Sequence, residues 1–273
     1  MSNNSKVLAL KYRPQVFKDL IGQNIIVETI EKSISQNKIP NAFLFTGIRG
    51  VGKTTIARIL AKSLNCKSSN KNDCLKNKCK NCEEISESRH IDVLEMDAAS
   101  KTGVDDVRDL IEFSRYGPTS SKFKIFIIDE VHMLSKQAFN ALLRTLEEPP
   151  SYLKFIFATT EVNKIPITVL SRCQRFDLSR IKPEELSEFL AKVAEMEKID
   201  INQDVINLIS KISEGSVRDA LSLLDRISLT NDDSQKGIIS LESAREIFGY
   251  FDKEFIINLI EKIFDGDEDK TLD

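Results

Sequence analysis

The stretch that most limits what this chain can become runs from Phe43 to Thr55, F-L-F-T-G-I-R-G-V-G-K-T-T. Ala42 to Phe45 are apolar, as a buried strand requires, and Ile56 to Leu64 place apolar residues at helical spacing. Between them, Gly47 to Thr54 fit G-x-x-x-x-G-K-[ST]. A loop that wraps a triphosphate turns its backbone N–H groups inward, and glycine reaches the needed dihedrals at least cost. That accounts for Gly47, Gly50 and Gly52, and the nucleotide-binding set extends to Val51 and Thr55. The helix starting near Lys53 aims its positive end at the same phosphates. Lys53 would place a cation on the β- and γ-phosphates, and the Thr54 hydroxyl would hold Mg²⁺. Strand, loop and helix together predict an ATP site in an α/β fold.

The chain beyond this loop supplies the other parts such a site needs. Lys124 to Glu130, K-I-F-I-I-D-E, is an apolar run ending in two acids, the pattern of a central parallel strand that opens on a polar site. Asp129 would hold Mg²⁺ and Glu130 would orient and deprotonate the attacking water. His132 reads as a packed or exposed turn residue. Lys154 to Thr160 is another buried strand, and Thr160 at its end is the candidate polar sensor. Further strands are expected over 91–96 and 175–178, with helices around 104–111 and 139–146. From Ile181 helices take over. Pro183 suits a first helical turn, a second helix is expected over 203–213, and Ser216 and Asp219 are spaced as an N-cap pair opening a third. Arg218 lies in that first turn, where a guanidinium and the helix end both favour an anion. Two more helices are expected over 241–264, ending in the acidic run 265–269.

Cys66, Cys74, Cys79 and Cys82 follow the phosphate-loop helix as C-x7-C-x4-C-x2-C, embedded in lysines and asparagines. Free surface thiols are one reading. The other is a tetrahedral Cys₄ zinc site with no position left for water, hence structural, whose metal supplies folding energy to a segment with little core. The absence of a signal-peptide core at the N-terminus favours a cytoplasmic protein, where clustered cysteines argue for metal over disulfides. No apolar run approaches the length of a membrane span. At 273 residues with 41% hydrophobic content the chain suits two domains, and a net charge of −3 excludes a uniformly basic nucleic-acid coat but not a local basic face.

Together these elements resemble an AAA+ ATPase. More narrowly, the chain resembles the γ/τ family of bacterial DNA polymerase III clamp-loader subunits. The resemblance rests on Lys11-Tyr12-Arg13-Pro14, the loop at 47–54, the cysteine module at 66–82, D-A-A-S-K-T-G at 97–103 and D-E-V-H-M-L at 129–134. It rests equally on L-E-E-P-P at 146–150, Ser171-Arg172-Cys173 and G-S-V-R-D at 215–219. It implies a five-stranded parallel sheet with an inserted zinc module over 1–179, a helical lid over 180–242, and the start of a collar domain over 243–273 that continues in a longer chain. It implies Arg172 as an arginine finger reaching a neighbouring subunit's ATP, and Arg218 as a second sensor on the chain's own nucleotide. Tyr12 and Arg13 would lie near adenine, and Lys101, Arg108, Arg144 and Thr168 would hold DNA phosphates. The implied partners are other clamp-loader subunits in a hetero-pentamer, a sliding clamp and primer–template DNA. Two alternatives remain: another AAA+ DNA motor of the branch-migration helicase type, and a clamp-loader stator that does not hydrolyse ATP.

Overall fold

Period-two alternation along the apolar runs sends large side chains to both faces of one sheet. In the computed structural model the strands are β1 Ala42–Thr46, β2 Val93–Asp97, β3 Lys124–Asp129, β4 Leu153–Thr159 and β5 Gln174–Asp177. All neighbouring pairs are parallel, in the order β2-β3-β4-β1-β5. The structure describes residues 7–68, 74, 79–233, 240–249, 257 and 260–264.

On one face Phe43, Phe45, Ile125, Ile127 and Ile156 pack against Ile56, Ile59 and Leu60 of helix α3, Lys53–Asn65. On the other, Leu44, Phe126, Ile128, Phe155 and Phe157 meet Phe139, Leu142 and Leu146 of helix α6, Lys136–Glu147. Between these helices in chain order come α4, Lys80–Ser86, and α5, Val104–Ser114. A short helix α7, Ile167–Leu170, precedes β5, and α1, Leu8–Lys11, with α2, Asn24–Ser35, lead into β1. Parallel sheets need both faces covered, and here they are. Phenyl rings lock the layers: Phe126 and Phe155 lie 5.7 Å apart by centroid, and Phe45 and Phe176 lie 5.6 Å apart.

The helical part comprises α8 Pro183–Glu197, α9 Gln203–Ile212, α10 Val217–Asp233 and α11 Leu241–Phe248; residues 260–264 are also helical. Pro183 starts α8, and the Ser216 hydroxyl accepts from the Asp219 N–H at 3.3 Å, capping α10. Leu186, Leu190, Val205, Ile209, Ala220 and Leu224 form its core, which merges with the sheet's through Phe176, Leu178 and Ile181. The acidic run 265–269 lies outside the described residues, as do parts of the cysteine module.

The second strand begins two residues later than its apolar pattern predicts. Ile91 is exposed, and Asp92 is drawn under the sheet edge, accepting hydrogen bonds from the Thr119 and Ser120 N–H groups at 2.7 Å each. The run that follows β3 differs too. Glu130 leaves the strand in the left-handed region, φ 45 and ψ 46, before a 3-10 turn at Val131–Met133.

Candidate nucleotide and metal sites

Strands β1, β3 and β4 end together, and ligands of open α/β sheets bind beyond such ends. There the loop 47–52 turns on three glycines of positive φ. Packing demands a bare residue at two of them: a Cβ at Gly47 would lie 2.8 Å from the Leu178 carbonyl oxygen, and one at Gly50 would lie 2.1 Å from the Ser216 hydroxyl. The lid therefore touches the loop directly, and the Arg218 N–H donates to the Gly50 carbonyl at 3.3 Å. Lys53 is buried beneath, with Nζ donating to the Gly47 and Ile48 carbonyls at 3.0 Å each and lying 3.9 Å from the Glu130 carboxylate. Burial lowers its proton affinity, and Glu130 and Asp129 oppose that. The Thr54 hydroxyl donates to Asp129 at 2.5 Å, so the two oxygens that would share a magnesium ion already adjoin. Glu130 Oε2 accepts from both the N–H and the hydroxyl of Thr160, at 3.1 and 3.0 Å. The donor set suits a polyphosphate with its metal: inward-turned loop, ammonium, hydroxyl and two carboxylates.

The N-terminal arm lies over this end. Arg13 donates to the Thr55 hydroxyl at 3.1 Å, and burial followed by the nearby Arg58 cation lowers its guanidinium below its ordinary value. Tyr12 instead turns to the lid. Its hydroxyl donates to Glu197 at the end of α8, and burial with that bond pushes its pKa up to about 12. Lys11 donates to the same carboxylate at 2.8 Å.

The four cysteines of the module converge, with all four sulfurs within 4.8 Å of one another. Tetrahedral zinc with Zn–S bonds near 2.3 Å sets sulfurs about 3.8 Å apart, and Cys66 and Cys79 stand at 4.0 Å. Burial opposes ionisation of Cys79, but N–H donors from Cys82 and Lys67 outweigh it and bring the thiol down to about 7. The Cys79 N–H donates to the Cys74 sulfur at 3.3 Å. Four sulfurs at this spacing, one biased toward thiolate, fit a closed zinc site.

Arg172 lies apart from the chain's own phosphate loop. It is one-third exposed, donating to the Thr168 carbonyl at 2.6 Å and to Glu147 at 2.7 Å. Lys101, Arg108, Arg144 and Thr168 are all exposed, on the loop before α5, on α5, on α6 and on α7. Helix α6 packs against both α5 and α7, so three of the four sit on adjoining helices. Arg108 is paired with Asp105 at 3.0 Å.

Comparison with known proteins fits this geometry. The family model for the DNA polymerase III delta subunit matches residues 22–182, and that for the DNA polymerase III clamp loader subunit ATPase lid domain matches 185–228. The chain is 44% identical over 265 residues to DNA polymerase III subunit gamma of Buchnera aphidicola subsp. Baizongia pistaciae, covering 97% of this chain and 70% of that one. It belongs to the DNA polymerase III γ/τ family. Against subunit tau of Salmonella typhimurium it is 41% identical over 268 residues, 98% of this chain and 41% of that one. For subunit gamma/tau of Mycoplasma pneumoniae the identity is 45% over 262 residues, 96% of this chain and 38% of that one. The chain thus spans about two fifths of the length of its tau relatives. Among solved structures, the Thermotoga maritima RuvB branch-migration motor superposes with a TM-score of 0.65 at 19% identity, over 92% of this chain and 79% of that one. That likeness is one of fold: an AAA+ P-loop α/β domain with a lid.

Two features of this γ/τ-family site escaped the sequence reading. Arg58 of α3 makes a two-pronged pair with Glu95 of β2, at 2.7 and 2.6 Å, beside Arg13. His132 is packed, as a turn residue can be, but against Glu130 and Thr159. Arg58 and Glu95 lie 37 positions apart, and no spacing rule joins a helix residue to the next strand.

Proposed function

We propose that this chain is the ATPase motor subunit of the bacterial replicative clamp loader, supporting the DNA polymerase III holoenzyme. It would use ATP binding and hydrolysis to open and place a sliding clamp on primer–template DNA. One observation carries the reading: in a chain of this family, Lys53, the Thr54–Asp129 pair and the Thr160-bound Glu130 converge at one end of the sheet, under the start of a lid helix.

Lys53 neutralises charge building on the γ-phosphate. Thr54 and Asp129 would hold magnesium, which when bound would supply further neutralisation of the phosphate charge. Glu130 orients the attacking water and takes its proton, with Thr160 fixing one of its oxygens. Arg13 and the loop Gly47, Gly50, Val51, Gly52, Thr54 and Thr55 hold the nucleotide, Tyr12 borders it only through its ring because its hydroxyl is taken by Glu197, and Arg218 contacts it from the lid. Arg172 serves the ATP of a neighbouring subunit. Its pair with Glu147 is partly exposed, and such surface pairs contribute about 0–1 kcal/mol, so release for a neighbour is easy. Lys101, Arg108, Arg144 and Thr168 hold DNA phosphates, which specify no sequence. Cys66, Cys74, Cys79 and Cys82 would hold a zinc ion whose role is structural.

On this reading residues 1–179 form the nucleotide domain, 180–242 the lid and 243–273 belong to a collar that joins the hetero-pentamer. The place of action is the cytoplasm; among the described residues no helix is long and apolar enough to cross a membrane.

The test is turnover in the reassembled complex. Glu130→Gln should keep ATP binding and lower turnover by about 10²–10⁴; retained turnover would defeat the assignment of Glu130 as base. Arg172→Ala should lower DNA-stimulated turnover by about 10³ or more while the chain's own ATP affinity stays unchanged. Near wild-type turnover would remove the finger assignment.

A further inference from the structure

We propose that His132 is a positioning residue for the hydrolytic step, tying the Glu130 carboxylate to the segment that carries Arg172. The inference rests on the assignment of Glu130 as base. The two oxygens of Glu130 face opposite ways: Oε1 lies 3.9 Å from the Lys53 ammonium, and Oε2 is turned to the end of β4. Thr160, which donates to Oε2, is exposed, so it restrains the carboxylate weakly by itself. The His132 side chain is only 6% exposed, and its Nδ1 lies 3.4 Å from the same Oε2 and 2.9 Å from the Thr159 hydroxyl. The buried ring therefore lies against the carboxylate oxygen that does not face Lys53.

Glu130 also occupies left-handed backbone. Such a residue carries backbone strain and persists only where its surroundings over-determine it. His132 is part of that over-determination, because its far side is anchored too. Nε2 lies 3.4 Å from Glu161 Oε1, which pairs with Lys164 at 2.8 Å. The Glu161 N–H in turn donates to the Thr159 hydroxyl at 3.0 Å. Residues 162–164 form a 3-10 turn that leads into α7, with Thr168 on it and Arg172 just beyond. Lys164, Glu161, His132 and Glu130 therefore form one line of polar contacts, from the exposed Lys164 to the base.

The experiment uses the reassembled clamp loader with His132→Ala, His132→Leu and His132→Asn, reading kcat and ATP affinity separately. Misplacing a catalytic group by an ångström costs up to 10²-fold. The Ala and Leu variants should therefore lose roughly 10- to 100-fold in kcat with ATP affinity unchanged. The Asn variant should recover most of the rate, because its amide reaches the place of Nδ1. Wild-type kcat in the Leu variant, which fills the space without the nitrogens, would overturn the proposal. So would a loss of ATP affinity in step with kcat, which marks a packing role. Glu130→Gln is measured in parallel. If it keeps turnover, the base assignment itself falls; if it is inactive while His132→Leu is unimpaired, this inference alone fails.

Discussion

The nucleotide end of the sheet and the cysteine module are joined by one helix, α3, yet different forces hold them. The nucleotide end stands on buried apolar layers: Phe43, Phe45, Phe126, Phe155 and Phe157 are each at most 1% exposed. Its polar groups sit on strand ends that packing has already fixed. The module has four converging sulfurs and, among the described residues, little apolar surface of its own beyond Ile85. What joins them is a buried polar seam. Asn65 donates to the Phe123 carbonyl at 2.8 Å and accepts the Phe123 N–H at 3.0 Å. Asn81 reaches the Asn65 carbonyl at 3.2 Å and the Ser121 hydroxyl at 3.1 Å. Precise polar chemistry can thus rest on a core, while a surface insertion with no core needs another source of order, which a metal held by the four sulfurs would supply.

The largest effect should come from removing zinc. A strong chelator should withdraw one zinc per chain and abolish amide protection in α4, since structural zinc contributes on the order of 10 kcal/mol to small sites. Protection in β1, β3 and β4 and binding of ATP should survive. Loss of ATP binding on chelation would erase the contrast between the two regions. Next in size is Phe155→Ala, which should lower stability to urea by about 3–5 kcal/mol with zinc content unchanged. A cost below about 1 kcal/mol, the range of surface substitutions, would show that the core is not what holds the strand ends.

The smallest effect tests the turn at Thr119 and Ser120, just before the seam residues Ser121 and Phe123. Burial disfavours the Asp92 carboxylate, but the Thr119 and Ser120 N–H groups outweigh it and hold its pKa below the ordinary 3.8. A depressed folded pKa means a contribution present above 3.8 and lost as pH falls through the lower folded value. Asp92→Asn should therefore cost about 1–3 kcal/mol near neutrality, with the gap to wild type closing below pH 3.8. A gap that does not narrow in acid would show that the ionised carboxylate is not what holds Thr119 and Ser120.

Much of this was legible because short-range pattern and long-range packing agree. The phosphate loop announces its own strand and helix, and K-I-F-I-I-D-E carries both its burial and its acidic end in seven consecutive residues. The cysteine spacing foretold convergence. Harder to read were contacts made by register and by turns. Asp92 leaves the apolar run because its carboxylate finds N–H donors 27 and 28 residues on. Tyr12 points to Glu197 of the lid, 185 residues away. His132 meets Glu130 because the backbone between them turns left-handed and then tightens into a 3-10 turn, a geometry that D-E-V-H does not spell out.

The most direct measurement of the central claim is calorimetric titration of ATP with Mg²⁺ into the folded chain, beside Lys53→Ala. Saturable one-to-one heat from the wild type, with affinity weakened at least about tenfold in the variant (a loss of about 1.4 kcal/mol), is the predicted result. No measurable heat from well-folded wild-type protein would contradict it.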